Sequence, residues 1–309
     1  MNVCQKVLLY CTHPWKILLS LSARTHLGVR IPMSDKSYLK LLYWDKFGKK
    51  LNLDNPKLFN EKLQWLKLYD RNPSYTQIVD KYEVKKIVSE KIGEQYVIPT
   101  LGVWEKFDQI DFDTLPKQFV LKCTHDSGGI VIVKDKTSFD KKNAKDKIER
   151  CLKRNYYYPG REWPYKRVKP RIIAEPYLTD ESNVELKDYK IFVFGGKPKF
   201  IQVDFDRFTD HKRNIYSTDW TFINAEIQYK SCEERTIPKP EKLEEMLELS
   251  AKLSEGMCHA RIDFYYINDR ILFGEITLYH GSGLETIIPS SFEKEISSYI
   301  QLPTKKEIN

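Results

Sequence analysis

Apolar residues recur at helical spacing in the first third of the chain. Residues 37–92 carry this spacing in two stretches, and Asn60 is predicted to cap the first helix. The second stretch, residues 81–92, is amphipathic and ends at Gly93, a residue type that commonly follows helices. We therefore expect a helical region ahead of the sheets.

The rest of the chain alternates between strand and helix patterns. Antiparallel hairpins with helices between them predict an α+β fold and not a doubly wound parallel sheet. In chain order, the predicted elements are a hairpin at 118–134, a helix at 141–153, a strand at 171–178, two strands joined through Gly195-Gly196, a helix at 241–255 and a hairpin at 261–277.

These elements divide the chain into four predicted regions. An N-terminal extension covers residues 1–36, and a helical region covers residues 37–79. Two subdomains follow at 80–170 and 171–300, and we expect a site between them.

Composition narrows the class of protein. The 309 residues are 41% hydrophobic and 30% charged, which indicates a folded globular chain. The net charge of +8 favours anionic partners, but no run of five basic residues occurs, so we do not expect nucleic acid binding. No CxxC pair occurs, and Cys123 and Cys258 lie in apolar segments, which favours a reducing, cytoplasmic location.

The first 23 residues are apolar but interrupted. Lys6, Pro14 and Lys16 break the run, which is therefore a poor candidate for a membrane-spanning helix. Two interpretations stay open for this segment, a peripheral membrane contact and a helix packed on the domain.

The hairpin at 261–277 carries the strongest chemical signal. If Asn268-Asp269-Arg270 form its loop, Asp263 faces Glu275 across the strands, with Cβ atoms about 5 Å apart. A two-residue loop would instead put the two carboxylates on opposite faces.

Two facing carboxylates need a compensating charge. Arg261, which would face Thr277, is one candidate, and a divalent cation is the other. Mg²⁺ prefers oxygen ligands and usually shares them with phosphates. A solvated sheet face with an Arg–Glu pair is the alternative.

A second feature is the hairpin of sequence LKCTHDSGGIVIVKD. Lys122 precedes the loop Ser127-Gly128-Gly129 and a strand follows it, which excludes a Walker P-loop. The arrangement fits a flexible lid over phosphates, with the lysine charge beneath it, but an ordinary turn has the same pattern. His125, beside the loop, would face either the substrate or water.

The motifs follow one another in a recognisable order. From the N-terminus they are Asp80-Lys81 before a helix, Lys122 before the glycine hairpin, a strand ending Ala174-Glu175-Pro176-Tyr177-Leu178, Arg261-x-Asp263 and Glu275-x-Thr277. This order resembles the ATP-grasp superfamily. Over residues 37–290 the sequence resembles its TupA-like branch, from bacterial surface-polysaccharide biosynthesis. Thr277 and the N-terminal helices depart from the family pattern, since they replace a metal-binding Asn and an N-terminal subdomain.

The resemblance implies a role for each matching residue. Lys81 and Lys122 would contact the ATP phosphates under a lid of Ser127, Gly128 and Gly129, while Glu175 and Tyr177 would contact the adenine and Asp188 the ribose. Asp263, Glu275 and Thr277 would hold Mg²⁺. Arg261, Lys190 and Arg213 would contact the reacting groups, with Arg207 and Asn214 as weaker candidates.

The resemblance also implies a reaction. ATP phosphorylates a carboxylate, and an amine attacks the acyl phosphate. We expect a ligase that joins an amino acid or amine to a uronic acid of a capsular or other surface polysaccharide, or of a sugar-nucleotide acceptor. It would be cytoplasmic in a bacterium, with peripheral contact at the inner face of the membrane left open.

Three other functions stay open on the sequence alone. An ATP-grasp kinase would stop after phosphoryl transfer. A metal-dependent glycosyltransferase could use Asp111-Phe112-Asp113 or Asp204-Phe205-Asp206, which are DxD-like patterns. A non-enzymatic binder of anionic polymer or membrane is the third.

Overall fold

The computed structural model describes residues 12, 14–23, 33–179, 186–206 and 209–303. Helices occupy the N-terminal part and two antiparallel sheets follow. The first helices are α1 (Trp15–Ala23), α2 (Asp35–Phe47), α3 (Phe59–Tyr69), α4 (Tyr75–Ile78) and α5 (Glu83–Ile92). Within the described ranges no helix has the length and apolarity needed to cross a bilayer.

The smaller sheet has four strands in the order β1-β4-β2-β3. Its strands are β1 (Gly102–Trp104), β2 (Phe119–Cys123), β3 (Ile130–Val133) and β4 (Ile172–Pro176). Between β3 and β4 lie α6 (Lys141–Leu152) and the short α7 (Tyr157–Gly160). The predicted hairpin at 118–134 is confirmed as β2 and β3.

A strand from beyond the predicted boundary completes the smaller sheet. Its core packs Phe119 and Leu121 against Ile148 of α6. Strand β4 pairs with β2, so the sheet reaches past the boundary expected between residues 170 and 171, as far as Pro176.

The larger sheet has six strands in the order β11-β10-β5-β6-β7-β8. They are β5 (Asp188–Phe194), β6 (Lys197–Phe205), β7 (Lys212–Ser217), β8 (Phe222–Ile223), β10 (His259–Ile267) and β11 (Arg270–Thr277). Gly195 and Gly196 join β5 to β6 with positive φ angles of 53° and 76°, as a tight turn requires. Helix α8 (Leu243–Leu253) packs on this sheet.

Three further elements were not predicted from the sequence pattern. Strands β9 (Glu226–Ile227) and β12 (Ile287–Ile288) pair with each other, and α9 (Ser290–Tyr299) follows. The antiparallel pairing and the mixed helix and strand content confirm the predicted α+β class.

A β-bulge sets the register of the β10–β11 hairpin. The predicted three-residue loop is wrong, because Ile267 pairs with Arg270 and only Asn268 and Asp269 form the turn, both with positive φ. The register then shifts between Asp263 and Phe264, where Gly274 is the extra residue on β11. Asp263 therefore still faces Glu275, as expected.

Between the bulge and the turn, the bulge exchanges the two faces of β11. Phe273 pairs with Phe264 and belongs to the main core. Leu272 pairs with Tyr265 and packs with Ile98 and Ile267 in a separate cluster next to the cleft.

Helix α3 begins two residues earlier than predicted. Leu58 is the N-cap, and its backbone N–H donates to Glu61 Oε2 at 3.0 Å. Asn60 is therefore not the cap. It lies inside the helix and donates from Nδ2 to the Glu285 carbonyl at 2.8 Å.

The same face of α3 holds the loop after β11. Gln64 donates to the Gly283 carbonyl and Lys67 to the Ser282 carbonyl, each at 2.8 Å. Residues 60, 64 and 67 share one face because they are four and three apart. Residues 281–283 all have positive φ, which is unfavourable only for Ser282, and α3 holds this loop in place.

A buried histidine marks the junction of α3 with the larger sheet. His259 Nδ1–H donates to the Val193 carbonyl at 3.0 Å. Its ring stacks on Phe194 with centroids 4.7 Å apart, and Phe59 meets its edge. Burial lowers the pKa of His259 to about 3.

This histidine should make stability depend on pH. An unfolded histidine protonates near pH 6.5, whereas folded His259 stays neutral, so the unfolded state binds more protons as the pH falls. The free energy of unfolding should fall on going from pH 7 to pH 5, with this residue adding at most about 1.4 kcal/mol per pH unit. Denaturant titrations should show a shallower pH dependence for His259→Phe; an equal slope would contradict the assignment.

Candidate functional site

A cleft between the two sheets has two connected chambers. The outer chamber has a volume of 1020 Å³ and the inner one 140 Å³. Residues lining both are Ile98, Lys122, Ile130, Glu175, Asp188 and Tyr265. Apolar side chains dominate the outer wall, among them Val120, Ile132, Tyr177, Leu178 and Leu186. The inner wall is charged.

The inner chamber brings together several predicted site residues. Lys81, Asp263 and Glu275 line it in addition to Lys122 and Glu175. They come from the start of α5, from the smaller sheet and from the larger one, so the chamber exists only because these elements pack together.

Arg261 is fixed between two partners. Its Nε and Nη2 donate to the two oxygens of Asp263, each at 2.7 Å. Its Nη1 donates to Nδ1 of His280 at 2.8 Å, so this ring is neutral with its proton on Nε2. Nε2 lies 2.7 Å from an oxygen of Glu285, and burial lowers the pKa of His280 to about 4.

The two facing carboxylates differ in their environment. Burial raises the pKa of Asp263 to about 6, against the opposing effect of Arg261. Among the described residues Glu275 has no ion-pair partner within 4.0 Å, although it lines the same chamber.

This donor set fits Mg²⁺ shared with phosphates. Nowhere in the described part of the chain do three or more His, Cys, Asp or Glu side chains form a group that could hold a metal alone. Mg²⁺ in nucleotide sites commonly takes one or two carboxylates and completes its shell with phosphates and water. Thr277 adds a buried hydroxyl on the same strand face, and this Oγ1 has no hydrogen-bond partner.

Glu175 lies between two lysines. Its oxygens are 2.5 Å from Nζ of Lys122 and 2.5 Å from Nζ of Lys85. Lys85 also donates to the Ile98 carbonyl at 2.8 Å and to the Thr100 hydroxyl at 2.9 Å. Burial would raise the pKa of Glu175, but the two lysines lower it.

Polar contacts anchor the base of the glycine hairpin. Lys81 Nζ donates to the Asp126 carbonyl at 2.8 Å, and the Lys81 N–H donates to the Thr124 carbonyl at 3.0 Å. His125 and Asp126 are buried; His125 Nε2 lies 3.2 Å from the Cys151 carbonyl, and Arg154 lies 3.6 Å from the Asp126 carboxylate. His125 is therefore turned inward and faces neither water nor the cleft.

The three residues at the tip of the hairpin differ from one another. Ser127 and Gly128 are exposed, whereas Gly129 is buried. A Cβ on Gly129 would lie 2.6 Å from Cys123 Sγ, so the glycine is needed for close packing. These three residues do not line either chamber.

Lys190 and Arg213 belong to a buried ion network beside the cleft. Lys190 pairs with Asp204, and Arg213 Nε donates to Asp204 at 2.7 Å. Arg213 also lies 3.3 Å from Glu285, which links this network to His280. Burial would raise the pKa of Asp204, but Lys190 and Arg213 lower it well below its usual range.

The remaining candidates divide between the cleft and the core. Tyr177 lines the outer chamber, and Asp188 lines both chambers with Lys190 Nζ 3.4 Å away. Asn214 is buried and donates to the Cys232 carbonyl at 2.8 Å, which makes it a structural residue. Arg207 lies outside the described residues.

Sequence reasoning missed Lys85, His280 and Glu285 as parts of the site, and it named Asp204 only within a DxD-like pattern. Lys85 had a usable signal, because it follows Lys81 by four residues on a helical segment. His280 and Glu285 act through contacts with Arg261 and Arg213, which are distant in the chain, so no local spacing reveals them.

Comparison with known proteins identifies the family. The fold and the cleft are those expected of an ATP-grasp protein. The family model described as TupA-like ATPgrasp matches residues 61–301, so the chain belongs to this family. This match confirms the predicted family and ATP-grasp fold and, at the level of class, an ATP-grasp enzyme. Comparison with curated proteins gave no match.

Solved structures resemble the chain only distantly. D-alanine–D-alanine ligase from Bacillus anthracis complexed with ATP is 17% identical, with a TM-score of 0.41, over 72% of this chain and 60% of that one. The Helicobacter pylori D-alanine–D-alanine ligase is 14% identical, with a TM-score of 0.42, over 74% and 60%. A RimK domain ATP-grasp protein from Sphaerobacter thermophilus is 11% identical, with a TM-score of 0.42, over 75% and 70%. The chain thus spans less than two thirds of both D-alanine–D-alanine ligases, and we infer nothing about activity from these likenesses.

The two adjacent glycines of the β2–β3 hairpin should respond differently to the same change. Gly129→Ala should destabilise the protein by about 1–3 kcal/mol, because the new methyl group overlaps Cys123. Gly128→Ala is the matched control, since its Cβ would meet only Arg154 Nη1 at 3.7 Å. Chemical denaturation measures both, and equal losses would contradict the packing role.

Lys85 should matter for nucleotide binding. Lys85→Met leaves buried Glu175 with one cation, which should draw Lys122 away from any phosphate and weaken ATP binding by roughly tenfold, about 1.4 kcal/mol. The control is Lys86→Met on the exposed face of the same helix. Calorimetric titration with ATP and Mg²⁺ checks the result; equal affinity of the two variants would contradict the role of Lys85.

Proposed function

We propose that the protein is an ATP- and Mg²⁺-dependent carboxylate–amine ligase that works through an acyl phosphate. The observation that carries this proposal is the facing pair Asp263 and Glu275 in the inner chamber, behind an apolar outer chamber, in a member of the ATP-grasp family. An apolar slot that leads to lysines and carboxylates suits a nucleotide better than a neutral ligand.

The cleft residues divide the work of nucleotide binding. The outer chamber takes the adenine ring beside Tyr177, and Asp188 lies where it can accept from a ribose hydroxyl. Lys122 and Lys81 supply positive charge to the phosphates. Bound Mg²⁺, held by Asp263 and Glu275, would neutralise charge on the phosphoryl oxygens.

Two displacements complete the proposed reaction. A carboxylate oxygen of the acceptor attacks the γ-phosphorus, and the bond to the bridging oxygen of ADP breaks. An amine nitrogen then attacks the acyl carbon, phosphate leaves with the C–O bond electrons, and the amine loses a proton to solvent. Arg261, fixed by Asp263 and His280, offers a preorganised positive charge to the acyl phosphate.

For the acceptor we propose a uronic acid of a surface polysaccharide, or the matching sugar nucleotide, and for the amine an amino acid or other small amine. Support comes from the TupA-like resemblance and from the net charge of +8, which favours an acidic acceptor. A cytoplasmic location agrees with this chemistry, because ATP is the co-substrate.

The alternatives have weaker support. A kinase would use the same cleft and differ only in the absence of an amine. For a glycosyltransferase, neither DxD-like pattern lies at the cleft, because Asp111, Asp113, Asp204 and Asp206 line neither chamber. A non-enzymatic binder would have no use for the charged inner chamber.

The proposal predicts an amide product that depends on Glu275. Incubation with ATP, Mg²⁺, a uronic-acid oligosaccharide and a pool of amino acids should yield ADP, phosphate and an amide-linked product in the mass spectrum. Glu275→Gln should lower turnover by at least about 100-fold, because a neutral amide cannot offset the charge of a metal ion.

Glu248→Gln, an exposed change on α8, is the control and should keep full activity. A phosphorylated acceptor without amide would favour the kinase. Transfer from UDP-sugar without ATP would favour the glycosyltransferase. Full ligase activity of Glu275→Gln would overturn the metal role.

A further inference from the structure

A surface formed by α1 and α2 combines exposed apolar side chains with uncompensated lysines. On α1, Ile17 is 41% exposed and Leu18 39% exposed. On α2, Trp44 is 40% exposed. None of these residues lines the cleft, so the ATP site does not account for their exposure.

Trp44 joins the two helices into one surface. Its ring lies 4.7 Å from that of Trp15 on α1. On its own helix, Trp44 shares a face with Lys40 and Lys36, four and eight residues earlier. Both lysines are exposed.

The acidic groups near this surface are already neutralised. Asp45 lies 2.7 Å from Lys16 Nζ and accepts from Trp15 Nε1 at 2.9 Å. Asp35 is within 3.7 Å of Arg71 and 3.6 Å of Arg161. Residues 33–50 contain only these two acids but five lysines, so the local charge is positive.

We propose that this surface, which we call the α1–α2 surface, docks the protein on an anionic lipid bilayer. Leucine, isoleucine and tryptophan insert at the boundary between headgroups and acyl chains, with lysines beside anionic headgroups. A nucleic acid partner would need basic residues but not the exposed aliphatic pair. The contact is peripheral, because no described helix can span a bilayer.

The contact has a structural link to the active site but does not rest on the ligase proposal. Helix α3 follows α2 in the chain and holds the loop that carries His280. The residues that line the cleft come from elements other than α1 and α2. For this reason, docking through these two helices leaves the cleft open.

Vesicle co-sedimentation of the full chain tests the proposal. The probes are vesicles of phosphatidylcholine alone and of phosphatidylcholine with phosphatidylglycerol. Wild-type protein should sediment with the anionic vesicles, release on addition of salt and leave the neutral vesicles largely unbound. Either Ile17→Ser with Leu18→Ser or Lys36→Glu with Lys40→Glu should lower the partition coefficient by at least about tenfold.

Two matched controls separate this surface from general stickiness and general charge. Leu101→Ser with Ile288→Ser removes two exposed apolar side chains elsewhere, and Lys142→Glu with Lys153→Glu reverses two exposed lysines elsewhere. Both controls should bind as wild type does. Since each pair of the α1–α2 surface is exposed, thermal melting and ATP turnover should stay unchanged in all variants.

Three results would overturn the proposal. The first is no sedimentation of wild type with anionic vesicles. The second is equal binding of wild type to neutral and anionic vesicles, which would show that the lysines do not contribute to the contact. The third is an equal loss of vesicle binding in either control pair, which would show that the α1–α2 surface is not the specific contact.

Discussion

The architecture of the cleft depends on holding two carboxylates, Asp263 and Glu275, side by side on adjacent strands. Facing like charges destabilise a sheet unless something offsets them. Arg261 offsets Asp263 through two short contacts, and Glu275 is left lining the inner chamber without an ion-pair partner in the described structure. A cation that arrives with phosphates would remove this imbalance, which is why the pair indicates a nucleotide site and not a permanent metal site.

Much of the surrounding structure keeps that pair in place. Gly274 provides the bulge that brings Glu275 opposite Asp263. Arg261 contacts His280, and His280 contacts Glu285. Glu285 in turn contacts Arg213, which pairs with Asp204. Such buried ionic networks contribute little net stability, because desolvation opposes the attraction, but removing one member leaves an unpaired charge and is costly. In this protein, the network fixes the positions of the side chains around the Asp263–Glu275 pair.

Helix α3 supports the site although none of its residues lines either chamber. Helix α3 donates from Asn60, Gln64 and Lys67 to the loop after β11, and that loop positions His280. Helix α3 therefore holds the loop after β11 in place.

Sequence reasoning succeeded for features that follow from the order of motifs along the chain and from the alternation of side chains along a strand. The family was predicted from a resemblance in the order of motifs, and the α+β class and the pairing of Asp263 with Glu275 were predicted from local pattern. The structural reason for this pairing was not predicted. A two-residue turn and a bulge together give the register that was expected from a three-residue loop. Counting alternate residues along a strand does not reveal a bulge. The resemblance implied that Lys190 and Arg213 meet the reacting groups, and it did not show that both pair with Asp204. Asp204 lies on β6 between β5 and β7, and the sequence pattern did not predict β7, so these ion pairs were missed.

The most direct test of the carboxylate pair is the effect of Mg²⁺ on ATP affinity, measured by calorimetric titration in wild type and in the double variant Asp263→Ala, Glu275→Ala. The account predicts that Mg²⁺ tightens ATP binding by at least about tenfold in wild type and has little effect in the variant. An equal gain in both proteins would contradict it.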